Sequence, residues 1–102
     1  MSVKKQYLKK RNACKVTFSL PKEAAEGAKS VHLVGEFNDW STAGTPMKKS
    51  RNGDFSVTLE LASGREYQYR YLVDETRWEN DWAADRYVPT PFGNSENSVV
   101  VV

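Results

Sequence analysis

The 102-residue chain has one cysteine, Cys14, and one histidine, His32. A single cysteine excludes a disulfide within the chain and any zinc site built on several thiolates. A single histidine, set mid-strand between Val31 and Leu33, leaves little for nucleophilic catalysis, and no G-x-S-x-G elbow is present. Long hydrophobic runs are missing. Nothing approaches the roughly 20 apolar residues of a membrane-spanning helix. The basic N-terminus is not followed by the apolar stretch of a secretory signal, so a cytoplasmic protein is expected. There is no glycine-rich phosphate loop and no EF-hand spacing, so neither nucleotide nor metal is expected, and no cofactor. Helical periodicity and internal repeats are absent as well.

Charge is low overall and unevenly placed. The net value is +2. Lys4, Lys5, Lys9, Lys10, Arg11 and Lys15 occupy the first fifteen residues with no acid among them. The remaining nine Lys/Arg face thirteen Asp/Glu, which leaves −4 over residues 16–102. The body is therefore mildly acidic, which argues against a nucleic-acid partner. Residues 1–13 are read as a basic arm and residues 14–102 as one folded domain.

What the chain does have is a period of two. Cys14, Val16, Phe18 and Leu20 alternate with polar residues, as do Phe55, Val57, Leu59 and Leu61, and then Tyr67, Tyr69, Tyr71 and Val73. Val31, Leu33 and Phe37 suggest another strand, Met47 to Lys49 a short one, and the valines from Ser98 to Val102 a last, well-buried one. Asn52-Gly53 is a strong hairpin signal. Lys22 to Lys29 reads as a loop with one helical turn at most, because Gly27 interrupts it. A long polar loop is expected from Asn80 to Asn97. The sum is about seven short strands, the pattern of a sandwich or small barrel.

Glu79, Asp81 and Asp85 cluster, but a chain of this size offers little room for the deep cleft a glycosidase carboxylate pair needs, so they are read as loop charges with turn roles. Cys14 lies on an apolar alternation and reads as core. The tyrosine strand reads as a core stripe with hydroxyls at its edge. The aromatics that fit no core are Trp40, after the Asn38-Asp39 turn, Trp78, after the Asp74-Glu75 turn, and Phe92, between Pro91 and Gly93. Loop indoles either plug the ends of a sandwich or meet a partner. With amide and guanidinium donors nearby they make a surface on which the C–H face of a sugar ring stacks.

The segment Val31 to Trp40, containing Gly35-Glu36-Phe37-Asn38-Asp39-Trp40, resembles the G-x-F-N-x-W signature of glycogen-binding modules, the family-forty-eight carbohydrate-binding modules. These occur in the β subunit of AMP-activated protein kinase and beside the catalytic domains of isoamylases and branching enzymes. The likeness continues through Asn52-Gly53-Asp54-Phe55, through Tyr67-Gln68-Tyr69-Arg70-Tyr71-Leu72-Val73-Asp74, and through Pro91-Phe92-Gly93-Asn94 into the last strand. It implies an all-β, immunoglobulin-like (early-set) antiparallel sandwich and a non-catalytic module for α-1,4-glucan such as glycogen, starch or maltodextrin. It further implies Trp40 and Trp78 as stacking residues, Arg70 and Asn94 as hydrogen-bonding ones, and Phe92 pressing into the glucan coil. The family's loop asparagine falls on Glu96 or Asn97. The family's Asp-Gly turn is Asp74-Glu75 here, with two further residues before Trp78. A glycogen-metabolism enzyme or regulator is the protein partner the resemblance implies. The alternative is a protein-interaction module of the same fold with no sugar binding.

Overall fold

A computed structural model describes residues 3–90 and 95–102. It is an immunoglobulin-like sandwich of two antiparallel sheets. One sheet has the order β1-β2-β5-β4, the other β3-β6-β9-β8, with β7 also paired to β6. The strands are β1 Val3–Leu8, β2 Ala13–Leu20, β3 Val31–Gly35, β4 Lys48–Lys49, β5 Phe55–Ala62, β6 Glu66–Val73, β7 Arg77–Glu79, β8 Arg86–Pro89 and β9 Glu96–Val101.

The alternations become the core. Cys14, Val16, Phe18 and Leu20 of β2 are fully buried, and they pack with Leu33, Phe55, Tyr69, Tyr71, Val73 and Val100. Phe18 and Tyr69 join the two sheets edge to face, with ring centroids 5.0 Å apart. Cys14 faces this interior. His32 stands opposite Leu72, on the outer face of the second sheet, away from the Cys14 thiol. The Asn52-Gly53 turn forms as expected, with Gly53 at φ 95° and its N–H donating to the Ser50 carbonyl at 3.1 Å. Lys22 to Lys29 holds only successive turns, which fold Ala24, Ala25 and Ala28 into the core.

Two strands go beyond the sequence reading. Residues of the basic segment form β1, which pairs with β2 from Val3↔Phe18 to Leu8↔Ala13. Lys5 takes an inward register opposite Val16 and reaches across to the other sheet, where its Nζ meets Asp85 Oδ2 at 2.7 Å. The stretch from Asn80 to Asn97 is not all loop either. Arg86–Pro89 makes the edge strand β8 along β9, a place where a proline is tolerated.

Strand β6 organises the second sheet. One edge pairs with β3. The other pairs first with β9, over Glu66 to Tyr69, and then with β7, over Tyr71 to Val73. Arg70 lies where the neighbour changes. By alternation with the buried tyrosines, it belongs to the outer face.

Candidate functional site

The G-E-F-N-D-W segment is mostly architecture, and its product is the placement of one indole. Gly35 lies so close to β6 that an added Cβ would come within 2.6 Å of the Gln68 carbonyl oxygen and 2.8 Å of Tyr69 Cβ. Only glycine fits there. Glu36 accepts the Gln68 N–H at 2.7 Å. Phe37 packs into the aromatic core, 5.5 Å from the Phe18 ring. Asn38 ties the turn together. Its Oδ1 accepts the Gly35 N–H at 3.1 Å, and its Nδ2 donates to the Leu33 carbonyl at 2.9 Å and to Thr45 Oγ1 at 3.0 Å. The chain then passes through two left-handed residues, Asp39 at φ 56° and Trp40 at φ 59°. A tryptophan in that region is rare and strained. The Trp40 N–H returns to the Gly35 carbonyl at 2.8 Å, and this closes the turn.

Trp78 comes from β7, opposite Leu72. Trp40 and Trp78 are 39% and 46% exposed, so neither plugs the sandwich. Together with Arg70, Thr90, Ser95 and Asn97 they line one hollow of about 330 Å³ on the outer face of the second sheet. Arg70 Nε donates to Asn97 Oδ1 at 2.7 Å, and Asn97 Nδ2 donates to Gln68 Oε1 at 3.0 Å. This chain fixes the guanidinium plane and leaves its two terminal nitrogens without a partner among the described residues. Val34, Leu72 and Val99 are buried on the same outer face and are separate from the main core cluster. The hollow has aromatic walls and a cationic donor. A larger hollow of about 400 Å³, lined by Lys22, Glu23, Glu26, Lys49 and neighbours, has no aromatic wall.

Of the residues singled out from the sequence, Trp40, Arg70, Trp78 and Asn97 are brought together here. Asn97 and not Glu96 lines the hollow. Phe92 and Asn94 lie outside the described residues. Thr90 and Ser95 were missed: two hydroxyl residues whose side chains bond each other at 2.5 Å, with the Thr90 N–H on the Ser95 carbonyl at 3.0 Å. Only their position either side of Pro91-Phe92-Gly93-Asn94 could have marked them. Trp82, 57% exposed, lies elsewhere and donates to Glu79 Oε1 at 3.4 Å.

Asp81 is not a solvated loop charge. It is 1% exposed. Its Oδ2 accepts the hydroxyls of Tyr69 at 2.7 Å and Tyr71 at 3.2 Å, and its Oδ1 accepts the Ala83 N–H at 3.0 Å. The Asp81 N–H donates to Ser98 Oγ at 2.9 Å, and the Tyr87 hydroxyl donates to its carbonyl at 2.5 Å. Asn80 adds a bond from Nδ2 to the Glu96 carbonyl at 2.9 Å. The node pins the segment after Trp78 to β6 and β9, the strands that carry Arg70 and Asn97. Glu79 and Asp85 have separate partners, Arg77 at 3.0 Å and Lys5 at 2.7 Å, so the three acids do not form a carboxylate pair.

Burial, followed by the negative charge of Asp81, raises the Tyr69 and Tyr71 hydroxyls above the ordinary tyrosine value of 10.0. The folded state thus keeps two protons that the unfolded chain gives up near pH 10. Stability is fully present below that pH and is lost as pH rises toward the folded values. The expected slope is about 1.4 kcal/mol per pH unit for each tyrosine. Urea midpoints measured from pH 8 to 11 should be flat at first and then fall. The fall should be weaker in Tyr69→Phe.

Two exposed indoles thus stand over a shallow hollow on one face of an immunoglobulin-like sandwich. The chain belongs to the family described as the glycogen recognition site of AMP-activated protein kinase, whose model matches residues 23–102. It is 39% identical over 77 residues to the AMP-activated protein kinase subunit beta-2 of Mus musculus, covering 76% of this chain and 27% of that protein. It is 37% identical over 75 residues to the subunit beta-1 of Sus scrofa, covering 74% and 57%. It is 36% identical over 76 residues to the chloroplastic PTST homolog 2 of Arabidopsis thaliana, covering 74% and 13%. The chain spans about a quarter of the length of the beta-2 subunit it matches. Among the described residues no helix is long and apolar enough to cross a membrane.

Proposed function

We propose that this chain is a non-catalytic module that binds α-1,4-linked glucan, with glucose rings stacking on Trp40 and Trp78. The observation that carries this is the convergence of two exposed indoles with the Arg70–Asn97 pair around one hollow. A glucose ring offers an apolar C–H face and a rim of hydroxyls. The indole faces take the first, and the terminal nitrogens of Arg70 donate to the second. The resemblance assigns Phe92 and Asn94 to the same sugar site, and Thr90 and Ser95, which flank them in sequence, line the hollow. The family model and the kinase-subunit relatives support glycogen as the ligand. They also support a regulatory setting, in which the module brings a separate enzyme of glucan metabolism to its polymer.

An open hollow buries little of each sugar, so single-site affinity is expected in the micromolar range or weaker. Co-sedimentation with glycogen tests the proposal. The folded protein should pellet with glycogen and be released by free maltoheptaose, and it should stay in the supernatant with cellulose. A protein that remains in solution with glycogen, or pellets equally with both polymers, contradicts it.

A further inference from the structure

Trp78 has a second side. Beyond it lies another hollow, of about 260 Å³, lined by Thr42, Ala43, Leu72, Glu75, Thr76 and Trp78. The indole is a wall common to both hollows. Leu72, buried on the same outer face, lines the second one. The side chains of Thr42, Glu75 and Thr76 have no hydrogen-bond or ion-pair partner among the described residues. This hollow combines an aromatic wall, an apolar lining residue and three uncommitted oxygen groups able to bond sugar hydroxyls.

The turn that carries Glu75 is held firmly. Asp74 Oδ1 accepts the N–H groups of Lys29 at 2.7 Å and Ser30 at 3.0 Å, and the Asp74 N–H donates to the Ser30 carbonyl at 2.8 Å. The Thr76 N–H closes the turn on the Val73 carbonyl at 3.1 Å. Asp74 and Glu75 both sit in the left-handed region, at φ 51° and 62°. Glycine is the relaxed choice at such a position, and glutamate is a strained one. Asp74 accounts for itself through its two backbone acceptor bonds. Nothing in the fold uses the Glu75 carboxylate.

From this we infer that the hollow beyond Trp78 is a second glucosyl subsite, in which Glu75 accepts hydrogen bonds from sugar hydroxyls, assisted by Thr42 and Thr76. The inference rests on the glucan-binding function proposed above and extends it to chain length. A short oligosaccharide fills the first hollow. A longer one passes Trp78 and occupies both, which makes the site selective for extended chains.

The test compares maltotriose with maltoheptaose by isothermal titration calorimetry, on the wild type, Glu75→Gly and Thr42→Val. Glycine accepts the left-handed backbone, so Glu75→Gly should melt at or above the wild-type temperature. In the wild type, maltoheptaose should bind about tenfold more tightly than maltotriose. In Glu75→Gly most of that advantage should vanish while maltotriose binding stays unchanged, and Thr42→Val should lose a smaller part of it. A Glu75→Gly protein that keeps the full advantage overturns the second subsite and leaves the first intact. If the wild type binds neither sugar, the glucan-binding function itself fails and this inference falls with it.

Discussion

Asp81→Ala is expected to lower the thermal unfolding midpoint by about 15 °C or more. Three donors converge on this carboxylate, two of them tyrosine hydroxyls in the sandwich interior. Removing the acceptor leaves those hydroxyls buried and poorly paired, each costing about 1–3 kcal/mol. A loss of about 3–5 kcal/mol is most of the stability of a domain this size, and each kcal/mol moves the midpoint by roughly 4–8 °C. The Tyr71 hydroxyl has a weak alternative in the Ser19 carbonyl at 3.4 Å, whereas Tyr69 has none among the described residues. Asp81→Ala should therefore cost clearly less in a Tyr69→Phe/Tyr71→Phe background than alone. Scanning calorimetry on the four proteins measures the coupling. Equal costs in both backgrounds would mean that the carboxylate is not what satisfies the tyrosines.

Trp40→Gly is expected to abolish most glycogen binding and leave the fold intact. The indole is exposed and belongs to the hollow, not to the core. The backbone at φ 59° is one that glycine adopts without strain, so the turn survives the change. Losing one stacking wall should weaken binding more than tenfold, or about 1.4 kcal/mol and above. Co-sedimentation with glycogen measures the effect, and a melting curve checks the fold. Trp78→Ala should show a loss of similar size. Trp82→Ala should bind as wild type does, because that indole lies outside the hollow.

The comparison of Trp40 with Trp82 also shows how far residues alone reveal the site. The tripeptide Asn-Asp-Trp occurs twice, at Asn38-Asp39-Trp40 and at Asn80-Asp81-Trp82. In the first copy the aspartate is the exposed left-handed residue of a turn. In the second it is the buried acceptor of two tyrosines. Local pattern does not distinguish them. The partners of Asp81 come from β6, ten and twelve residues back, and meet it only when the strands stack. The core was legible because apolar alternation is a local property: every second residue from Cys14 to Leu20 is buried as the period predicts. Strand β1 was not, because Lys5 takes an inward position that only a charge on the other sheet makes tolerable. Strand β8 was hidden by Pro89 and by the polar residues around it. Arg70 was marked by the resemblance of its strand, Tyr67 to Asp74, to the family's. Its bond to Asn97 spans 27 residues and depended on the strand order.

Tryptophan fluorescence during titration with maltoheptaose, with cellohexaose as control, reads stacking of Trp40 and Trp78 on α-linked glucose directly. A saturable change is expected with maltoheptaose alone, smaller in Trp40→Gly and in Trp78→Ala and unaltered in Trp82→Ala. A folded protein whose emission does not change up to millimolar maltoheptaose, or changes equally with cellohexaose, would contradict it.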